Sequence, residues 1–185
     1  MHGYYKIEAV VLKRANIGEA DKLLTLFTRS HGKLTVIAKG VRKVTSRKAS
    51  HLELFRHIQG FVASSSSIPI LIEATSLEIF SRIRKDIRRI AFAYRIVEQV
   101  DRLCPENEVH ITIFPILLQS FRMLSNKGSN FETVSFDFTH NLLWELGYLP
   151  RTTTIEGQKL ESFLEHILET KLKSNSLLTR VTSSI

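Results

Sequence analysis

Between Arg29 and Ser50 the chain carries six lysines and arginines and no acidic residue: Lys33, Lys39, Arg42, Lys43, Arg47 and Lys48. Thr45, Ser46 and Ser50 are interspersed with the last of them. Lysine and arginine contact phosphates, and serine and threonine hydroxyls add hydrogen bonds that carry no sequence information. If about four of these cations touched phosphates of a single strand, affinity would fall by roughly two decades between about 50 and 200 mM salt. A solvated hairpin tip is the plainer reading of such a run. The lack of any interleaved acid favours a polyanion partner.

Catalytic patterns fail by comparison. The stretch Gly40-Val41-Arg42-Lys43-Val44-Thr45-Ser46 has a lysine and hydroxyls but lacks the second glycine of a phosphate-binding loop. No dinucleotide-binding glycine pattern and no nucleophile-elbow pattern occurs. The seven histidines are scattered, with no pair spaced for zinc on a helix. Glu19 and Asp21 form the only close acidic pair in the basic region, too little for a two-metal site. Cys104 is the single cysteine, so neither an internal disulfide nor a thiolate cluster can form, and it reads as a small apolar side chain near a helix end. These residues predict a non-enzyme without metal or cofactor. No apolar run reaches the ~18 residues of a membrane span, and the first residues lack an apolar signal core. A cytoplasmic protein is expected.

The elements that must position the basic run come first in the chain. Tyr5 to Val11 alternates with a period of two. Lys22 to Thr28 and Lys33 to Lys39 flank a turn at Arg29-Ser30-His31-Gly32. In the second of these, Leu34, Val36 and Ala38 face one way, and Lys33, Thr35, Ile37 and Lys39 the other. Leu52 to Phe61 and Ile70 to Thr75 complete five strands, which suggests a small closed barrel because closure removes exposed edges. After Phe80 the period becomes helical, over Lys85–Cys104, Val109–Leu124, Glu132–Leu146 and Lys159–Lys173. The expected class is α+β, with a five-stranded barrel over residues 1–80 and an α-helical domain over 81–185.

Charge follows the same division. Residues 1–80 hold twelve Lys/Arg against six Asp/Glu, whereas residues 81–185 hold fourteen against twelve. Most of the net +8 thus belongs to the barrel, the footprint of a nucleic-acid-binding domain. On the first helix Arg88, Arg95 and Arg102 lie seven apart and form a stripe, with Glu98 placed to pair with Arg102. This stripe reads as a solvated or domain-bridging face rather than a phosphate track. Tyr4, Tyr5, Phe27, Phe55 and Phe61 are candidates for base stacking, although a small barrel needs large side chains for its core.

Three stretches carry a family resemblance. They are Val10-Val11-Leu12-Lys13-Arg14, the run from Gly18-Glu19-Ala20-Asp21 through Leu26-Phe27-Thr28 to His31-Gly32-Lys33, and Val36-Ile37-Ala38-Lys39-Gly40-Val41-Arg42-Lys43 with Ser46-Arg47. In order and spacing they resemble the N-terminal domain of RecO proteins. Phe138 to Tyr148, ending in Leu146-Gly147-Tyr148, is similar to that family's central helix, and Lys171-Leu172-Lys173-Ser174 to a basic element near its C-terminus. The resemblance implies an oligonucleotide-binding-fold (OB-fold) barrel over residues 1–80 followed by a helical domain. It also implies a DNA-repair role: binding single- and double-stranded DNA, annealing complementary strands, and helping load the recombinase onto strands coated with single-strand binding protein. RecR is the implied protein partner, through the barrel.

Two departures stand out. Many family members carry a cysteine zinc module after the central helix, whereas here Pro150 leads almost directly to the last helix, so a short member without zinc is expected. Some members dock the acidic tail of single-strand binding protein with basic residues just before the phenylalanine matching Phe138. Phe136 and Asp137 stand there instead, leaving Arg122 and Lys127 as the substitute basic pair. Two competing readings stay open: an OB-fold adaptor for an acidic protein, and an RNA-binding barrel without annealing activity.

Overall fold

Alternating apolar residues set the first half of the molecule. The computed structural model describes residues 3–64 and 67–182. Its strands are β1 Tyr4–Ile17, β2 Asp21–Thr28, β3 Gly32–Ala38, β4 His57–Ala63 and β5 Ile70–Glu78, closed in the order β1-β2-β3-β5-β4. All ladders are antiparallel except the parallel closure of β3 on β5, a single residue pair, Ile37 with Ile70. This is the five-stranded barrel of the OB-fold, closed at β3–β5 by its shortest ladder. The inner face collects Ile7, Val11, Leu24, Leu26, Val36, Ile58, Val62 and Leu71, and Val41 and Leu52 join it from the long β3–β4 connection.

Strand β1 serves two neighbours. Tyr4 to Val10 pairs with β4, Ala9 to Ile17 pairs with β2, and the register shifts between Val11 and Lys13. The extra residue, Leu12, bends the strand so that one segment can close both sides. This is why β1 continues to Ile17 beyond the alternating stretch. Gly60 on β4 faces Ile7, and a Cβ there would lie 2.8 Å from the Glu73 carbonyl oxygen, so the closure needs glycine.

The strand expected from Leu52 begins only at His57. Phe55 is buried with φ of 68° and turns the chain, its N–H donating to the Val11 carbonyl at 3.0 Å. Ahead of it Ala49–His51 makes a single 3-10 turn.

Five helices follow: α1 Ile87–Leu103, α2 Ile113–Ser125, α3 Phe131–Glu145, α4 Gly157–Leu168 and α5 Lys173–Thr182. Asp86 starts α1 by accepting from the Arg88 and Arg89 N–H groups, and Asn130 starts α3 by accepting from Thr133. Pro115 sits in the first turn of α2, where its missing N–H removes no helical bond. Periodicity predicts one last helix over Lys159–Lys173, but two are present. Glu169, at φ of 55°, ends α4 in the left-handed region, and α5 starts afresh at Lys173.

Two compact units result: Met1–Ile79 with Pro105–Phe114, and Phe80–Cys104 with Pro115–Ile185. The change of period near residue 80 gives no sign of the return of Pro105–Phe114 to the barrel unit. That segment brings Phe114 against Phe27, ring centroids 6.4 Å apart, on the outside of the barrel wall. Among the described residues no helix is long and apolar enough to cross a membrane.

Candidate nucleic-acid interface

The basic run is held by backbone contacts that leave most of its side chains outside. Val41 is buried and anchors the loop after β3 in the barrel core. Gly40, at φ of 64°, donates its N–H to Asp21 Oδ1 at 2.7 Å. Arg42 ties the loop to the β1–β2 turn, its N–H donating to the Ala20 carbonyl at 2.9 Å and its Nη1 to the Gly18 carbonyl at 3.2 Å. Two further turns follow, Lys43 N–H to Gly40 and Ser46 N–H to Lys43. The side chains of Lys39, Arg42, Lys43 and Arg47 are exposed on this fixed loop.

The other two expected cations lie elsewhere. Lys48 is half-buried and donates to the carbonyls of Leu71 at 2.9 Å and Ile72 at 3.2 Å. Leu71 pairs with Val62 of β4 and Glu73 with Phe61, so Ile72 falls at the register shift between them and the ammonium sits at this irregularity. Burial pulls Lys48 below the usual lysine range, and the nearby Asp21 carboxylate only partly offsets this. The Lys48 ammonium thus ties the loop to β5 instead of standing with the exposed cations. Lys33 stands at the opposite end of β3 from Lys39, half-buried, with its backbone bridged to Glu106. A strand rise of about 3.3 Å per residue separates it from the loop by about 20 Å. The cluster is thus four cations and not six.

Register adds a residue that linear reading missed. Lys13 on β1 is exposed and pairs with Thr25 on β2, which pairs with Thr35 on β3. Only the pairing pattern sets a cation twenty residues upstream beside this face.

Among the aromatic candidates, Phe27 and Phe55 are core and Tyr5 packs partly against it, whereas Tyr4 and Phe61 are exposed. His57 is buried between two carboxylates, Nε2 3.0 Å from Glu8 and Nδ1 3.0 Å from Glu78, with Phe114 edge-on at 5.9 Å. The Nδ1 of His51 accepts from the Ser76 N–H at 3.1 Å.

The arginines of the α1 stripe engage acceptors within the helical unit. Arg88 Nη2 donates to Glu132 at 3.0 Å, with its guanidinium 5.7 Å from the Phe131 ring centre. Arg95 is buried and engages Glu161 on α4 and, at 2.8 Å, Asn175 on α5. Arg102 donates to the Leu168 and Lys171 carbonyls and to Thr170. Glu98 accepts from the N–H groups of Lys173 and Ser174 at 2.7 and 2.8 Å, capping α5. Burial alone would push the Glu98 carboxyl up, but the hydrogen bonds from Ser174 and Lys173 and the charge of Arg102 outweigh it and hold it below the usual carboxylate range. The stripe is the internal clamp of the helical unit.

The expected docking residues separate as well. Arg122 and Lys127 are exposed, but Phe138 is 1% exposed and belongs to the helical core. A partner cannot reach its ring, so these three residues do not form a joint surface. Cys104 is buried at the end of α1.

Residues 1–80 match the family model described as Recombination protein O N terminal, and residues 84–154 the one described as Recombination protein O C terminal. The second match ends before α4, so α4, α5 and the Lys171–Ser174 likeness lie beyond it. Proteins named DNA repair protein RecO are similar over most of the chain. The one from Roseiflexus sp. is 38% identical over 80% of this chain and 51% of its own length, and that from Heliobacterium modesticaldum 38% identical over 79% and 52%. The Bifidobacterium adolescentis protein is 32% identical over 86% of this chain and 67% of its own length. The chain spans about half the length of the first two relatives. With an OB-fold barrel followed in the chain by a helical unit, and both family models matched in order, the chain belongs to the RecO family.

Proposed function

We propose that this chain is a DNA-binding recombination mediator, acting in the cytoplasm and without a catalytic step of its own. It binds single- and double-stranded DNA through the loop of Lys39, Arg42, Lys43 and Arg47, anneals complementary strands and assists recombinase loading. The observation that carries this reading is the exposure of four cations on a loop whose backbone is fixed to the barrel at Gly40, Val41 and Arg42. Fixed backbone with exposed side chains suits phosphate contacts, which position a strand without reading its bases. The family membership and the names of the relatives support DNA as the polyanion. RecR remains the proposed protein partner, through the barrel. The acidic tail of single-strand binding protein docks on Arg122 and Lys127 without Phe138.

The test is annealing of complementary fluorescent oligonucleotides by the wild type and by Lys39→Ala/Arg42→Ala/Lys43→Ala. Salt-sensitive annealing lost in the triple variant is the expected result. No annealing and no strand binding by folded wild-type protein would overturn the reading in favour of a protein-interaction adaptor.

A further inference from the structure

The outer face of β1, β2 and β3 presents a row set by register, Lys13 beside Thr25 and Thr25 beside Thr35, with Lys33 two residues before Thr35 on the same face. One end of this row is crossed by the returning segment Pro105–Phe114. Glu106 bridges Lys33 in parallel, the Asn107 N–H donates to the Lys33 carbonyl at 2.9 Å, and Thr35 Oγ1 donates to Glu106 Oε1 at 2.8 Å. The crossing is built into the barrel. Gly32 has φ of 67°, and a Cβ there would lie 2.0 Å from the Glu108 carbonyl oxygen, so the segment can approach only a glycine.

We propose that the Thr35 end of β3 is a phosphate subsite, and that the Glu106 carboxylate holds it when no nucleic acid is bound. This rests on the DNA-binding reading above. Carboxylate and phosphate oxygens accept the same hydroxyl hydrogen bond, and the strand 2–3 face is where OB-folds take oligonucleotides. A strand leaving the basic loop at Lys39 along β3 reaches Thr35 after four residues, about 13 Å, and meets Glu106 there. Admitting it needs only a turn of the Glu106 side chain, since the Asn107–Lys33 backbone bond can stay in place. One anionic acceptor replaces another, so the Thr35 hydroxyl is never left unserved. Entry along the face is therefore an exchange, and Glu106 sets its threshold.

The measurement is affinity for a fluorescent oligothymidine at low salt, with thermal melts to confirm folding. Glu106→Ala should bind about tenfold more tightly than the wild type, the gain of one hydrogen bond to an anion. Glu73→Ala, which removes the same charge from β5 on the far side of the β3–β5 closure, should change affinity much less. Thr35→Val should be nearly neutral alone, because Glu106 already occupies the hydroxyl, but should cancel the gain when combined with Glu106→Ala. Equal gains from Glu106→Ala and Glu73→Ala would reduce the effect to net charge and overturn the subsite. So would an unchanged Glu106→Ala in a protein that binds. Loss of binding across every folded variant, wild type included, would remove the DNA-binding reading itself and the subsite with it.

Discussion

Two sets of cations in this molecule, those of the barrel loop and those of the α1 stripe, have opposite roles. The barrel loop presents Lys39, Arg42, Lys43 and Arg47 on exposed side chains, with the loop's tight hydrogen bonds made mainly by its backbone. The stripe of α1 has the regular spacing of a phosphate track, yet Arg88, Arg95 and Arg102 each engage acceptors on α3, α4, α5 or the turn between the last two. Lys48 shows the same contrast inside the loop itself, because its ammonium is spent on two strand carbonyls. A cation's availability is decided by the acceptors the fold brings to it, and neither spacing nor net charge reports those acceptors.

The comparison can be broken most forcefully at Arg95. Arg95→Ala would leave the half-exposed Glu161 carboxylate and Asn175 without their buried partner. We expect a loss of about 3 kcal/mol of stability, read by denaturant or thermal unfolding, with oligonucleotide affinity unchanged below the melting transition. A smaller loss is expected at Glu98. Glu98→Gln weakens the cap on α5 and should cost about 1 kcal/mol. The Glu98 carboxyl is held low in the folded protein, so its contribution is present above the ordinary carboxylate value near 4.5 and disappears as pH falls through the lower folded value. Acid unfolding of Glu98→Gln should accordingly be less steep in that window than that of the wild type. Smallest and most local is a pair within one loop. Lys48→Met should lower stability by about 1 kcal/mol or less while sparing strand binding, and Lys43→Ala should do the reverse. Parallel losses of affinity in both variants would erase the distinction drawn between them.

Much of the barrel was legible because its signal is local. Leu34, Val36 and Ala38 alternate with Lys33, Thr35 and Ile37, and the strand folds with that division of faces. The turn at Gly32 and the helical stripe of α1 were equally plain. What the sequence hid depends on partners far along the chain. The role of Lys48 needs Leu71 and Ile72, and that of the α1 arginines needs residues up to eighty positions away. The return of Pro105–Phe114 rests on backbone pairing with β3, which carries no side-chain period. Phe138 resembles a docking residue in linear alignment, but only packing shows that its ring faces the core. The break between α4 and α5 turns on Glu169 in a left-handed conformation, a position where glycine would have been the readable signal.

The most direct test of the central claim is the salt dependence of single-strand binding in the wild type and in Lys39→Ala/Arg42→Ala/Lys43→Ala. Each phosphate contact to a single strand contributes about 0.7 to the slope of log affinity against log salt. Losing three contacts should therefore flatten the slope by about 2, with the melting temperature unchanged. An unaltered slope in a folded triple variant would place the DNA elsewhere on the molecule and contradict the account.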